Sequence, residues 1–258
     1  MSYRALGLEG RVAVVVGGTT GIGRTIALGL AEAGADVVAS ARGAGNLDTI
    51  AGEIEALGKR TLRLASDVTD RGSLERLRDA VLGQLGGVDI LVNCAGRTQR
   101  TPTLDVAESD WNSLLDTNLT GTLRACQIFG RVMIERGYGR IINIASLASF
   151  VALFEVSAYA CSKAAVAALT RQLAIEWGPK GVCVNAIAPG VFRTALNREL
   201  LDGTERGKEF LLRNPMRRFG QLGELAGAAV FLASESASFV NGEVLAVDGG
   251  FLASGVNQ

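Results

Sequence analysis

An open parallel α/β sheet covered by helices on both faces is the fold this sequence predicts, and three observations carry that expectation. Short β-branched apolar runs alternate with longer stretches of helical periodicity along the 258-residue chain. The runs are continuously apolar, as strands buried on both faces must be. The first of them passes through a glycine-rich turn straight into a helical stretch, the layout of a dinucleotide-binding βαβ unit. The length alone admits one large α/β domain or two small ones. No Pro/Ser-rich linker, low-complexity block or short repeat interrupts the series, and only four prolines occur. We therefore expect one doubly wound Rossmann-type domain over 1-258, with a mostly parallel seven-stranded sheet.

In chain order, RVAVVVG reads as the first buried strand, and Ile22–Ala33 carries apolar residues at helical spacing. DVVASA and TLRLAS follow as the second and third strands, then a helix over Leu74–Leu85. VDILVN is the fourth strand and Trp111–Arg136 a long helix after it; GRIINIAS is the fifth strand, succeeded by a helix over Tyr159–Trp177. GVCVNAIA and EVLAVD close the sheet. Between those last two, Phe192–Pro215 breaks the rhythm, being long, charged and placed after APG. Excursions of that kind are usually lids or binding loops, and 192-215 is expected to be a substrate lid, with Phe192, Leu196, Leu200 and Leu201 on its inner face.

Composition narrows the function classes. Lys plus Arg and Asp plus Glu are 26 each, so no global field attracts nucleic acid or an anionic membrane. No signal-peptide core stands at the N-terminus, and the uncharged stretch IINIASLASFVALF falls short of the ~18 residues of a membrane helix, so a cytoplasmic protein is expected. Cys94, Cys126, Cys161 and Cys183 form no C-x-x-C pair. With no histidine in the chain, that spacing argues against zinc or a disulfide framework and for buried thiols; no metal is expected. The lack of histidine also removes the Ser-His-Asp triad and the H-E-x-x-H zinc site.

Acid–base work must then fall to other groups. In SAYACSKAAV, Tyr159 and Lys163 are four apart and lie one above the other on a helix. An ammonium beside a phenol favours the phenolate and lowers its pKa toward working pH. Chance places tyrosine and lysine on one helix face often, so this pair gains weight only from its company. The turn GGTTGIGRT places Gly17, Gly21 and Gly23 where a pyrophosphate can approach helix N-terminal amides. At the end of the second strand, where an NAD-binding unit carries an acid for the adenosine 2′-hydroxyl, the chain reads Ser40-Ala41-Arg42. Nothing there repels a 2′-phosphate, and Arg42 offers a guanidinium fork, although a solvated arginine at a strand end fits equally well.

Gly17-x-x-x-Gly21-x-Gly23, NCAG at 93–96, Asn118 in NLTG, Ser146 thirteen residues before Tyr159, the Y-x-x-x-K pair and Pro189-Gly190 together resemble the classical short-chain dehydrogenase/reductases. The likeness covers essentially the whole chain, with the motifs in the family's order. It implies that Ser146 holds the substrate oxygen, Tyr159 transfers the proton, Lys163 binds the nicotinamide ribose and lowers the tyrosine pKa, and Asn118 anchors a water that passes protons on. It implies cofactor contacts at Gly17, Thr19, Thr20, Gly21, Ile22, Gly23, Arg42, Asp67, Val68, Asn93, Ala95, Gly96, Tyr159, Lys163, Pro189, Gly190 and Thr194. Two departures stand out: Val16 replaces the usual threonine before the first glycine, and Cys94 replaces the second asparagine of NNAG. Both are expected to be tolerated.

APGVFRT, SLASFVALFEVSAY and the C-terminal tail are similar to the gluconate 5-dehydrogenase-like branch. That implies a secondary alcohol or ketone on a sugar acid as substrate, with Arg100, Ser146 and Phe192 as candidate substrate residues. Arg100 would pair with the carboxylate, or is simply a solvated loop arginine. NADP(H) is the expected cofactor, with NAD(H) possible, and a homotetramer the implied assembly. A 3-ketoacyl-thioester reductase and a non-catalytic dinucleotide sensor are the alternatives, and the intact Asn118, Ser146, Tyr159 and Lys163 weigh against the latter.

Overall fold

The computed structural model describes residues 4–194 and 197–255, apart from the side chains of Ala44 and Leu200. Its strands and helices alternate as β1 (Val12–Val16), α1 (Gly21–Glu32), β2 (Asp36–Ser40), α2 (Leu47–Ala56), α3 (Arg71–Leu85) and β3 (Ile90–Asn93). There follow α4 (Glu108–Leu115), α5 (Gly121–Arg136), β4 (Gly139–Ile144), α6 (Ser157–Trp177), β5 (Val182–Pro189), α7 (Arg198–Leu201), α8 (Glu205–Arg213), α9 (Gly223–Ala233) and β6 (Val244–Val247). Among the described residues the six strands form one sheet in the order β2-β1-β3-β4-β5-β6, every neighbouring pair parallel.

Each continuously apolar strand feeds two cores, because successive side chains leave the sheet on opposite faces. Ala13, Val15, Val37, Ala39, Ile90, Val92 and Ile142 pack on one face against Ile26 and Leu30 of α1, Ile50 and Ile54 of α2, and Leu225 and Leu232 of α9. Val12, Val14, Val16, Val38, Leu91, Ile141, Val182 and Val184 pack on the other, against Leu74 and Val81 of α3, Phe129 and Met133 of α5, and Leu173 of α6. The parallel arrangement puts the carboxyl ends of β1, β3, β4 and β5 along one edge, where open α/β sheets bind ligands.

One expected strand is absent. Thr61–Ser66 runs beside β2 but is tied to it only near its ends, by Val37 N–H to the Arg60 carbonyl (3.1 Å) and Ser66 N–H to the Ala41 carbonyl (3.2 Å). Between them the Ser40 hydroxyl takes the Leu64 carbonyl at 2.6 Å, a side-chain bond in place of a ladder rung. Leu62 and Leu64 lean into the core while Arg63 turns out to Glu55, so alternation survives without the backbone pairing. The helix expected over Trp111–Arg136 begins at Glu108 and is interrupted by a π-helical turn, Asp116–Thr120, between α4 and α5.

The 192–215 segment folds into α7 and α8, the latter capped by Thr204 Oγ1 accepting from Gly207 N–H at 3.0 Å. Phe192 and Leu201 are buried, Phe192 within the core formed on the α1 and α9 face of the sheet. Leu196 and the side chain of Leu200 lie outside the described residues. Among the described residues no helix is long and apolar enough to cross a membrane.

Candidate active site

The glycine-rich turn is held from both sides. Gly17 and Gly18 donate to the Ser40 carbonyl at 2.7 and 3.1 Å, and Cys94 N–H reaches back to the Val16 carbonyl at 2.8 Å. Gly17 sits at φ +82°, and a Cβ there would stand 2.5 Å from the Ala95 nitrogen; a Cβ on Gly23 would strike the Gly17 carbonyl. Only glycine permits this approach of turn, helix and β3 end. Thr20 precedes α1 without a side-chain cap, so first-turn amides stand available to an anion. Val16, where a hydroxyl was expected, is buried in the core, and the backbone bond to Cys94 holds the strand end without it.

At the end of β2, Arg42 is exposed and lies in the field of Asp67. Burial opposes ionisation of Asp67, but hydrogen bonds from Thr69 N–H (2.9 Å) and Oγ1 (2.7 Å), with Arg42 and Arg124 nearby, hold its carboxyl below the usual range. Val68 is buried under Gly121, where a Cβ would come within 2.8 Å of it. Gly190, after β5, passes so near Asp248 that a Cβ would lie 2.6 Å from its Cα. Thr194 N–H donates to Asn197 Oδ1 at 2.7 Å, and Asn197 donates to the Phe192 carbonyl at 2.8 Å, which shapes the turn after Pro189-Gly190. The glycine cradle, the uncapped helix start and the absence of an acid after β2 all fit a dinucleotide.

Ser146, Tyr159 and Lys163 meet beyond the carboxyl end of β4. Ser146 accepts from Ala148 N–H at 3.1 Å, which fixes its hydroxyl at the start of the connection to α6. Burial raises the Tyr159 phenol above its ordinary pKa, while a hydrogen bond with Ser146 pulls it back in part. Lys163 is buried, with Nζ 5.8 Å from the tyrosine ring centroid, and donates to the Ile144 carbonyl at 2.6 Å. Burial brings that ammonium down to about 8, with Cys94 nearby opposing the shift. The expected lowering of the phenol by the ammonium is thus not what this arrangement produces: desolvation dominates both groups, and the lysine is aimed at a backbone carbonyl. Burial also pushes the Cys94 thiol up to about 11, keeping it a neutral neighbour.

Asn118 stands in the π-helical turn, a distortion often found at functional sites. Its Oδ1 accepts from Arg97 N–H at 2.9 Å, and its Nδ2 donates to the Arg97 carbonyl (2.9 Å) and the Ser162 hydroxyl (3.0 Å). The side chain expected to anchor a water therefore has both amide protons committed, and it ties the loop after β3 to α6. Asn93, expected to line the cofactor crevice, donates inward to Asn143 Oδ1 at 2.8 Å, and Asn143 donates to Thr170 Oγ1 at 2.9 Å. This buried relay and Ser162 were missed in the sequence; the only signal was a polar residue inside the apolar run RIINI.

Arg100 is an exposed loop arginine, and its Nε pairs with Glu155 Oε2 at 2.6 Å. Cys161, expected to be buried, is exposed, because it faces away from Tyr159 and Lys163 on α6.

Comparisons with known proteins place this geometry. A family model described as enoyl-(acyl carrier protein) reductase matches residues 16–252. The chain is 40% identical to gluconate 5-dehydrogenase of Gluconobacter oxydans over 96% of each chain. It is 42% identical to 2-dehydro-3-deoxy-D-gluconate 5-dehydrogenase of Bacillus subtilis, over 97% of this chain and 98% of that one. Among solved structures, gluconate 5-dehydrogenase of Burkholderia cenocepacia in complex with NADP and tartrate superposes with a TM-score of 0.94 at 39% identity, covering 98% of this chain and 99% of that one.

Proposed function

The chain belongs to the short-chain dehydrogenase/reductase family, and on that premise we propose that it is an NADP(H)-dependent oxidoreductase interconverting a secondary alcohol and a ketone on a sugar acid of the gluconate/5-ketogluconate type. The observation that carries the reading is the meeting of Ser146, Tyr159 and Lys163 at the sheet edge that holds the glycine cradle. We take residues 1–258 as one dinucleotide-binding and catalytic domain, working in the cytoplasm.

When bound, the nicotinamide supplies or accepts the hydride, which no side chain can carry. Gly17 to Gly23 would hold the pyrophosphate, Arg42 the 2′-phosphate, and Asp67 and Val68 the adenine, with Thr194 and the Pro189-Gly190 turn serving the nicotinamide. Ser146 orients the substrate oxygen. Tyr159, a phenol at neutral pH, donates its proton to that oxygen in reduction and recovers it in oxidation. Lys163 places a partly desolvated cation beside this exchange. Asn118 acts by positioning the loop after β3. The same residues would serve a 3-ketoacyl thioester, the substrate class in the name of the 3-oxoacyl-[acyl-carrier-protein] reductase of Escherichia coli, to which the chain is 36% identical over 95% of its length. Turnover of purified protein with NADPH against 5-ketogluconate, simple ketones and ketoacyl thioesters decides between them, and a faster thioester reaction would overturn the sugar-acid assignment.

Cofactor choice gives a sharper test. Arg42→Ala should raise the KM for NADPH on the order of 10- to 100-fold, the loss of a charge-assisted phosphate contact, and leave that for NADH nearly unchanged. A wild type that prefers NADH would reverse the argument.

The 192–215 segment is proposed to close over the nicotinamide, with Phe192 and Leu201 already turned inward. Hydrogen exchange across α7 and α8 should slow in the ternary complex relative to the free enzyme; equal protection in both states would make the segment scaffold. The assembly is proposed to be a homotetramer. Ile175 on α6, with Leu104, Phe150 and Val151 nearby in sequence to the site loops, is exposed, and β6 is an edge strand of the described sheet. Light scattering at micromolar concentration should give four times the chain mass, and a monomer would refute this.

A further inference from the structure

A cation on the segment after β5 has no part in the proton exchange or the cofactor cradle. Arg206, in the first turn of α8, reaches the Phe154 carbonyl through Nη1 at 3.4 Å and lies over the Phe210 ring, 5.5 Å from its centroid. The residue after Phe154 is Glu155, whose carboxylate holds Arg100 Nε at 2.6 Å. The connections following β3, β4 and β5 thus meet here, with Arg100 on the Glu155 carboxylate and Arg206 on the carbonyl of the preceding residue. That point is close to the chemistry along the chain, because Glu155 lies on the connection that carries Ser146, two residues before α6, on whose first turn Tyr159 stands.

The charges at this junction do not balance locally. Arg206 lies in the fields of Arg100, Glu155 and Glu209, and Glu209 is itself paired with Arg213 at 2.8 Å. Burial first, and then the like charge of Arg100, lower the pKa of Arg206, so a further anion would relieve it. Glu155 is fixed in place: its carbonyl accepts Thr101 N–H at 2.8 Å, and it holds φ +62°, a left-handed conformation unusual for glutamate. Conformations of that kind persist where the surroundings over-determine them, and they cluster at ligand sites. Glu155 grips Arg100 by its Nε edge, a hold that sets the direction of the rest of the guanidinium.

We propose that Arg206 is the second cation for the substrate's carboxylate, acting with Arg100, and that Glu155 is the positioning residue that orients Arg100 for this task. The inference rests on the sugar-acid reading and extends it, because it assigns the anion to a residue of the closing segment. Binding of the carboxylate then strengthens the hold of α8 on the connection after β4, so an acidic substrate favours the docked segment where a neutral polyol does not.

The test is calorimetric titration of the NADP-loaded enzyme with gluconate and with tartrate, in wild type, Arg206→Ala, Arg206→Gln and Arg206→Lys. We expect wild type to bind both hydroxy acids. The Ala and Gln variants should bind them 10- to 100-fold more weakly and NADP as tightly as wild type, and Lys should recover part of the loss. Glu155→Gln should weaken both acids by less than Arg206→Ala. The proposal is overturned if the Ala and Gln variants bind the acids like wild type, if they lose NADP in proportion, or if wild type binds neither acid. A wild type that binds gluconate through Arg206 yet oxidises none overturns the dehydrogenase assignment and leaves the carboxylate site standing.

Discussion

Tyr159→Phe should lower turnover in both directions by ~10²–10⁴-fold, the usual worth of a positioned general acid or base, while NADPH affinity stays within about twofold of wild type. The ring keeps its place on α6 and only the hydroxyl is lost, one of many groups placed against the dinucleotide, so the other cofactor contacts are undisturbed. The chain has no histidine, Cys94 is held as a neutral thiol, and the Lys163 ammonium is turned to the Ile144 carbonyl, so these neighbours are poor substitutes for the phenol. Steady-state rates with NADPH and ketogluconate, beside a fluorescence titration of cofactor, read the two effects separately. Turnover near the wild-type value would remove Tyr159 from the chemistry. Loss of cofactor binding in step with turnover would make it a structural residue.

Gly17→Ala is expected to have the next largest effect, and on a different link of the argument. The new methyl would stand 2.5 Å from the Ala95 nitrogen and 2.7 Å from its Cα, on a residue held at φ +82°. Left-handed strain in alanine costs about 1–2 kcal/mol, and forcing backbone apart at a packed junction adds about 1–3 kcal/mol. For a protein of ordinary stability that is a large share of the total. The end of β1 must then part from the end of β3, and the amides of the turn lose their aim. Thermal melts should show a lowered Tm, and cofactor titration a loss of affinity beyond tenfold. Gly43→Ala is the control: it is exposed, a Cβ there meets nothing within 4 Å, and it should leave both measurements unchanged. A Gly17→Ala protein that melts and binds like wild type would show that the turn has room the packing denies.

These two residues differ in how openly the sequence displays them. Gly17 was legible because a turn between an apolar strand and a helix needs glycine for local reasons, which act within a few residues. The same holds for the strands themselves: buried on both faces, they must be apolar throughout, and six of the expected seven lie within one or two residues of where their runs stand. Tyr159 and Lys163 were legible as a pair, since four residues of helix bring them to one face. Their protonation was not. Whether an ammonium lowers a phenol depends on how far both are removed from water and on what else the ammonium meets, and here Lys163 meets the Ile144 carbonyl, on a strand nineteen positions away.

What the sequence determined by itself is the doubly wound sheet, the glycine turn, the placement of Ser146, Tyr159 and Lys163 on neighbouring elements, and the lack of an acid after β2. All of these follow from local backbone and periodicity requirements that each residue carries with it. Only the tertiary structure decided that Thr61–Ser66 lies beside β2 without pairing as a strand, because the Ser40 side chain competes for its carbonyl. It also decided that Asn93 donates to Asn143, which donates on to Thr170, that Asn118 spends its amide on Arg97 and Ser162, and that Arg100 is held by Glu155 in the field of Arg206. Such pairings are choices among many donors and acceptors of similar strength. Proximity through space settles them, and a linear order of residues does not encode it.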